Sequence, residues 1–249
     1  MHFTEPSGLF IFLIPDGWKY TSVSLGYEEK SPFDFISKNK KLTGGFQLSC
    51  FPATETEKIK TKQTANKSNL RFFEQSPVYN DDTVFKIWYC AVEDHIFLAK
   101  YIYPLQDKDS SLVLCEIQKA KAALKTLILI PEKDRRLAAD LDKYDRFLIS
   151  LFASFDLKAQ ALKSGAFIEL LVILANQIDA YLRLSIVLTK QLANKSDDFD
   201  VKYFHQSDTD NAISERSIYK ESFALSIISK EAFDKLESRR FQASSATPK

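Results

Sequence analysis

The pattern of apolar and polar positions changes once along the chain, from a strand-like to a helical pattern. In the first hundred residues, short apolar or alternating runs stand between turn residues such as Pro15, Asp16 and Gly17, which predicts β-strands. Only Glu93 and Asp94 separate the last two runs, so we predict an antiparallel hairpin there. The predicted strands are Leu9–Ile14, Trp18–Ser24, Gly45–Phe51, Val84–Val92 and His95–Tyr103.

From Ser110 onward, apolar residues recur at the spacing of a helix face. Pro131 is a stop signal between the first two helical stretches, and Ser214 is a candidate N-cap. The polar segment Lys58–Phe73 fits either a helix or a mobile connection. Helices are predicted over Leu112–Leu129, Lys133–Phe155, Gly165–Leu192 and Ser217–Ile228, with a short last helix after Ser229.

These elements predict an α+β protein, in which an N-terminal antiparallel sheet with packed helices is followed by an all-α helical domain. We place the α+β domain at residues 1–130 and the helical domain at 161–241. Residues 131–160 form the connecting helix and joint, the joint itself being centred on 156–164. The small, polar tail at 242–249 is predicted to be disordered.

The Gly165–Leu192 helix is apolar on almost all sides, and several of its few polar residues lie on the same side. At 100° per residue, four of them share one narrow arc, with Gln177 and Gln191 at its edge. We call these four the polar stripe: Glu169, Asn176, Asp179 and Arg183.

A helix so apolar is normally buried, and buried polar groups need partners. The polar stripe therefore indicates a polar network inside a helical core, a subunit seam or a functional site. The alternative is that it lines the solvent-facing strip of an otherwise buried helix. Under either interpretation, we expect the apolar face of the helix to lie in the core: Leu170, Leu171, Leu174, Ile178 and Leu182.

Composition and charge favour an ordinary soluble protein. The 249 residues are 45% hydrophobic and 27% charged, with a net charge of +1, which gives no electrostatic reason to expect nucleic acid or a membrane as partner. The long helix could span a bilayer by length, but its charged residues are costly there, so we interpret it as a soluble core helix. Three cysteines without a metal-binding spacing fit a reducing cytoplasm, where we expect the protein.

No catalytic constellation is apparent in the sequence. The three histidines (His2, His95 and His205) lie in unrelated contexts, so no triad is predicted. His95 is expected to be a hairpin residue, and His205 to lie in a polar surface loop in which a metal site is the alternative. We predict no metal site, no cofactor and no catalytic residue, and we lean towards a protein that is not an enzyme.

Residues 154–240 carry several blocks in a recognisable order and spacing. The blocks are SFDL at Ser154–Leu157, the long helix, ISERSIYKESFALSIIS at Ile213–Ser229 and KEAFDKL at Lys230–Leu236. In these blocks the segment resembles bacterial HEPN-like helical domains. That resemblance implies a helical bundle, often dimeric, of a kind found in toxin–antitoxin and phage-defence systems, where many members are metal-independent RNases.

The resemblance fails at the catalytic motif of the family. HEPN RNases carry a late R-x4-6-H motif, in which Arg suits the scissile phosphate and His the acid–base chemistry. Here the chain continues from Leu236 as ESRRFQASSATPK, with Arg239 and Arg240 near the expected position and no histidine after them. We expect the helical domain to be truncated before the motif, and we assign no catalytic role.

The first 129 residues show a weaker likeness. PDGW at Pro15–Trp18, the hairpin through VEDH at Val92–His95 and the closing helix together resemble PsbP/Mog1-like α+β domains. Domains of that layout are usually binding or scaffold modules.

These observations lead to one main hypothesis and two alternatives. The main hypothesis is a non-catalytic interaction module, linked to phage defence or to a toxin–antitoxin pair, that forms a homo-oligomer or binds a protein through its helical domain. The first alternative is a fragment of a HEPN-type RNase, the one case in which RNA would be a partner. The second is a sensor that binds a peptide or small ligand in a cleft beside the hairpin.

Overall fold

The computed structural model describes residues 1–22, 30–39, 44–53, 70–92, 94–204 and 213–245, and for 238–245 the backbone alone. Contacts divide the chain into two compact units, Met1–Ala139 and Asp140–Lys249. We call them the sheet unit and the helical unit. The first is rich in antiparallel strands and the second is helical, so the predicted α+β class is confirmed.

The described strands of the sheet unit form two antiparallel sheets. In the smaller sheet the order is β1-β2-β10, and in the larger one it is β3-β4-β5-β9-β8-β6, with β7 also paired to β8. The strands are β1 His2–Thr4, β2 Phe10–Leu13, β3 Trp18–Tyr20, β4 Phe33–Ser37, β5 Gly45–Pro52, β6 Phe73–Glu74, β7 Val78–Asn80, β8 Thr83–Val92, β9 His95–Pro104 and β10 Ile128–Leu129.

The predicted hairpin is present as β8 and β9, with Val92 opposite His95 in the register. Helix α1, Ser111–Lys125, contributes Val113, Ile117 and Ala120 to the apolar core of this unit. That core is dominated by phenylalanine, tyrosine and tryptophan from the strands, with many rings in edge or tilted contact. The alternation of the strand residues is therefore explained by one face turned to this core.

The sheet unit differs from the prediction at the end of α1 and in short strands that were not predicted, such as β1 and β4. Helix α1 ends at Lys125 rather than Leu129, and Ile128–Leu129 pairs with β2 as strand β10. The apolar residues after Lys125 are buried by sheet pairing instead of by a helix face. Most of Lys58–Phe73, the last part of Trp18–Ser24 and Glu93 lie outside the described residues.

The helices that follow are α2 Glu132–Ser164, α3 Phe167–Asn194, α4 Glu215–Ala224 and α5 Lys230–Ser245, with a 3₁₀ turn at Val201–Tyr203. The boundary between the units falls inside α2. Gly165, at φ +71°, makes the turn between α2 and α3, a conformation that glycine adopts without strain. Ser214 is the predicted N-cap of α4, and its hydroxyl oxygen accepts a hydrogen bond from the backbone N–H of Ser217.

The predicted joint and tail are more helical than expected. Residues 156–164 form the last turns of α2, and α5 continues to Ser245. Helix α4 ends at Ala224, short of Ile228. Residues 246–249, the end of the predicted disordered tail, lie outside the described part of the chain.

The helical unit has a small apolar core. It consists of Leu182, Ile186 and Val187 on α3, Tyr203 and Phe204 after it, and Ile218 on α4. Tyr144 and Phe147 of α2 pack against it, with ring centroids 4.9 and 5.0 Å from that of Phe204. This core covers one end of the α2–α3 pair and leaves the end near Gly165 without a third helix among the described residues.

Candidate functional site

The structure does not bring the polar stripe together as one site. Glu169 and Asn176 are exposed, whereas Asp179 and Arg183 are mostly buried and form an ion pair with 2.6 Å between Arg183 Nε and Asp179 Oδ2. Arg183 also donates to the carbonyl oxygens of Tyr203 and Ile213, at 3.3 and 3.4 Å. The pair thus joins α3 to the rest of the helical unit and has a structural role.

The two glutamines at the edge of the polar stripe form hydrogen bonds with residues outside the stripe. Gln177 is buried, and its Nε2 donates to Oγ of Ser154 on α2 at 2.8 Å. Gln191 Nε2 donates to the carbonyl oxygen of Asp197 at 2.9 Å. Gln177 therefore marks the side of α3 that faces α2.

The expectation that the apolar face of α3 lies in the core is wrong for most of its residues. Leu182 is buried, but Leu171, Leu174 and Ile178 are exposed, Leu171 at 68%. Leu170 is half-buried. The reason is that α4 and the 3₁₀ turn pack on the second half of α3, so the first half has α2 as its helical neighbour in the described structure.

Seven of the exposed apolar residues of α3 follow a seven-residue repeat, while Ile168 and Val172 are exposed outside it. Their spacing alternates between four and three residues, with Ser185 at one position. Apolar residues repeating every 3.5 positions form the seam along which helices pair in coiled coils and bundles. The members are Phe167, Leu171, Leu174, Ile178, Tyr181, Leu188 and Leu192.

Helix α2 carries a second, shorter repeat of the same kind. Leu148, Phe152, Phe155, Ala159 and Leu162 alternate by four and three residues, and Phe152 and Leu162 are exposed. Both repeats were present in the sequence. Because an apolar helix face is normally buried, the prediction placed the apolar residues of α3 in the core and singled out its few polar residues.

Helical geometry places the two repeats on the same side of the α2–α3 pair. A groove of about 550 Å³ runs between the helices, lined by residues such as Leu157 and Gln160 of α2 and Ile168 and Val172 of α3. The Ser154–Gln177 hydrogen bond shows which side of each helix faces the other. At 100° per residue, the groove residues of each helix lie to one side of that contact, and the residues of the repeat lie to the opposite side. We call the seven large exposed members of the repeats near Gly165 the open face: Phe152, Leu162, Phe167, Leu171, Leu174, Ile178 and Tyr181.

Among the described residues, α3 is also the one helix long and apolar enough to cross a membrane by length and composition. In its most apolar stretch, 28% of the residues are buried. A single helix of this kind is weak evidence for a membrane span, because the core helix of a soluble protein meets the same criteria.

The sheet unit contains a separate cleft between α1, β8 and the chain around β6. Its volume is about 730 Å³, and its lining combines apolar and charged side chains. We call it the Trp88 cleft. The lining residues are Leu70, Arg71, Phe72, Glu74, Trp88, Lys121, Leu124 and Lys125.

Glu74 is the acidic residue of the cleft lining. Its carboxylate accepts from Lys121 Nζ at 2.7 Å and from Lys86 Nζ at 3.0 Å. The hydrogen bond from Lys121, followed by the one from Lys86, lowers the pKa of Glu74 to about 2. Glu74 is therefore charged at any pH near neutrality, and it partly neutralises one of the three cationic side chains of the cleft.

A buried carboxylate lies elsewhere in the same unit. Glu116 of α1 is 3% exposed, accepts a hydrogen bond from the indole Nε1 of Trp18 and receives Lys119 Nζ at 2.6 Å. Burial, with a smaller contribution from Glu116, raises the pKa of Tyr101, whose buried hydroxyl has no hydrogen-bond partner in the described part of the chain. Glu116 occupies an apolar-spaced position of α1, which is the signal that could have revealed it.

The remaining candidates for chemistry are unremarkable. His95 begins β9 in the hairpin, as predicted, while His205 lies outside the described residues. In the described part of the chain, no three His, Cys, Asp or Glu side chains are grouped as metal ligands. Burial, then the nearby Glu5, raises the pKa of Cys50 to about 12, so this thiol is a poor nucleophile.

Comparison with known proteins assigns no family. No family model matches the chain, and no curated protein matches it. A 1.50 Å crystal structure of a protein from Bacteroides thetaiotaomicron VPI-5482 is 14% identical, with 73% of this chain and 77% of that chain covered and a TM-score of 0.37. So distant a likeness supports no argument about function, and the HEPN-like and PsbP/Mog1-like resemblances stay predictions.

Proposed function

We propose that this protein is an interaction module that self-associates through the open face, two α2–α3 pairs from two copies packing as a four-helix bundle. The observation that carries the proposal is the pair of seven-residue apolar repeats exposed on one side of α2 and α3. The link to phage defence or a toxin–antitoxin pair remains part of the proposal on the resemblance of residues 154–240 alone.

The size of the open face supports a stable protein contact. Half-exposed side chains of this size each leave on the order of 100 Å² open to water, so seven leave roughly 700 Å². The largest apolar patch of a typical monomer is about 300–600 Å², and a standard interface buries about 800 Å² per partner. The open face therefore approaches the area that one side of a dimer needs.

The composition of the open face supports a second copy as the partner. All seven side chains are apolar or aromatic, so a symmetric contact of the face with itself opposes no like charges. The positions that flank the repeat on α3, such as Gln177 and Leu182, are uncharged and already used within the unit. A two-stranded coiled coil would use charged flanking positions, so a four-helix bundle fits better.

A membrane fits less well than a second copy. The back of α3 is bound to its own unit through Gln177, through the Asp179–Arg183 pair and through Leu182. Insertion into a bilayer would break those contacts and bury Glu169, Asp179 and Arg183 in hydrocarbon. Self-association through the open face would keep all of these contacts.

The test compares two neighbouring substitutions on α3. Leu171→Glu places a charge on the open face, and Val172→Glu, also at an exposed residue, places it on the groove side. Light scattering coupled to size exclusion is expected to give twice the 28.5 kDa chain mass for wild type and Val172→Glu, and the single mass for Leu171→Glu. Far-UV circular dichroism checks that both variants keep their helices.

Other outcomes would overturn the proposal. A wild-type chain that stays monomeric at about 100 µM, far above the Kd of a typical stable dimer, excludes self-association. Dimers that survive Leu171→Glu and dissociate with Val172→Glu would place the interface on the groove side. A monomer that sediments with phosphatidylcholine–phosphatidylglycerol vesicles would make a lipid surface the partner.

A further inference from the structure

We propose that the Trp88 cleft binds a small amphipathic anion, a carboxylate or phosphate carried on a flat apolar body. This inference concerns the sheet unit alone and does not depend on self-association. Its volume of about 730 Å³ lies within the usual range for small-molecule sites.

The apolar part of the cleft defines the body of the ligand. Leu70, Phe72, Trp88 and Leu124 line it, two of them with aromatic rings. Trp88 and Leu124 belong to the packed core, on β8 and α1, so this part of the lining is held by rigid elements. Aromatic rings of this kind favour a flat, apolar group as the body of the ligand.

The charges of the cleft define the polar group of the ligand. Arg71, Lys121 and Lys125 face one acidic residue, Glu74, which leaves the lining with two positive charges in excess. Lys121 and Lys125 lie one turn apart on α1. In the described structure no carboxylate lies within 4 Å of Arg71 or Lys125, and the Arg71 guanidinium lies 5.5 Å from the centre of the Phe73 ring.

A buried donor on one of the lining residues is the second, independent observation. Trp88 is 3% exposed, and its indole Nε1 is buried with no hydrogen-bond partner among the residues that the structure describes. The other tryptophan, Trp18, has its indole N–H bound to Glu116. Buried indole donors normally have an acceptor, so an oxygen of a ligand in this cleft would supply the one that Trp88 lacks.

The two tryptophans make the test direct. A nitrogen–proton correlation spectrum shows one indole N–H signal from each tryptophan. The signal that disappears in Trp88→Phe belongs to Trp88. The probes are 4-phenylbutyrate and its neutral counterpart, 4-phenylbutanol. The carboxylate is expected to move the Trp88 indole signal in a saturable way, while the Trp18 signal stays in place and the alcohol binds at least about tenfold more weakly.

Two charge variants are expected to change the affinity for 4-phenylbutyrate in opposite directions. Lys125→Gln should weaken binding of 4-phenylbutyrate about tenfold, since it removes a cation without a carboxylate partner. Glu74→Gln should strengthen binding severalfold, because it removes the carboxylate that competes for Lys121. Lys108→Gln, at an exposed lysine that does not line the cleft, is the matched control and should change nothing.

Three results would overturn the proposal. The first is no movement of the Trp88 signal up to about 10 mM probe, the upper end of weak specific binding. The second is equal binding of the alcohol and the carboxylate, and the third is binding that Lys125→Gln leaves unchanged. Because Leu171→Glu is expected to leave this titration unaffected, failure here is distinguishable from failure of self-association.

Discussion

The two units differ in how they bury apolar side chains. In the sheet unit, Phe10 and Phe97 are fully buried among other rings, and α1 adds its own apolar face to the core. In the helical unit, Phe167 is 74% exposed although α3 is the most apolar helix of the described chain. One unit buries most of its large apolar side chains in its own core, and the other leaves a patterned apolar surface exposed. Apolarity alone therefore does not reveal which residues fold the chain and which residues bind.

The largest expected difference between the units comes from truncating one aromatic residue in each. Phe97→Ala should lower the free energy of unfolding by about 3–5 kcal/mol, because it leaves a cavity beside Phe10. Phe167→Ala should change that of the monomer by less than about 0.5 kcal/mol, since the ring lies in water. Both tryptophans lie in the sheet unit, so their fluorescence during urea unfolding reports on Phe97→Ala, and far-UV circular dichroism follows the helices.

That pair of variants separates the two roles of an apolar side chain. Phe167→Ala should weaken dimers while it leaves monomer stability intact. A loss of several kcal/mol in the monomer would mean that the open face is covered within the chain, and the contrast between the units would disappear.

The second effect concerns the buried carboxylate of the sheet unit. Glu116→Ala removes the acceptor of the Trp18 indole N–H and the partner of Lys119, and we expect a loss of about 2–4 kcal/mol. Glu116→Gln keeps an acceptor oxygen and a similar volume, so its loss should be smaller, about 1 kcal/mol. Urea unfolding monitored by tryptophan fluorescence measures both, and equal losses would show that the charge alone matters.

The sequence predicted the long helices and the long hairpin because their signals are local, and it missed short strands such as Phe33–Ser37. Alternation along Val84–Val92 and His95–Tyr103, with two residues between them, is sufficient to define the β8–β9 hairpin. The end of α1 was missed because Ile128 and Leu129 are apolar in a way that suits either a helix or a strand. Their pairing with β2 is a contact across more than a hundred residues, which no local pattern reports.

The candidate sites were less predictable for a related reason. The repeat on α3 shows that a face needs burial, but its sequence does not distinguish a neighbour in the same chain from a neighbour in another copy. In the Trp88 cleft, Arg71, Trp88 and Lys121 come from three separate segments, and the fold alone brings them together. A cleft beside the hairpin was among the alternatives predicted from the sequence, but the residues that line the cleft were not predicted.

The smallest expected effect concerns the Asp179–Arg183 pair, the counterpart of Glu116 in the helical unit. A fully buried network would make Asp179→Ala cost a few kcal/mol. Here the side chain of Asp179 is 25% exposed, and Arg183, at 12%, keeps the carbonyl oxygens of Tyr203 and Ile213 as acceptors when the carboxylate is lost. We therefore expect a loss of about 1 kcal/mol, measured by far-UV circular dichroism at a fixed protein concentration.

Arg183→Ala is the informative comparison, because it removes all three interactions at once. Its loss should exceed that of Asp179→Ala by about 1 kcal/mol. If both variants lost less than about 0.5 kcal/mol, the pair would contribute little, and α3 would be held mainly by apolar contacts such as those of Leu182 and Ile186. If Asp179→Ala cost as much as Glu116→Ala, the helical unit would be as completely packed around α3 as the sheet unit is around α1.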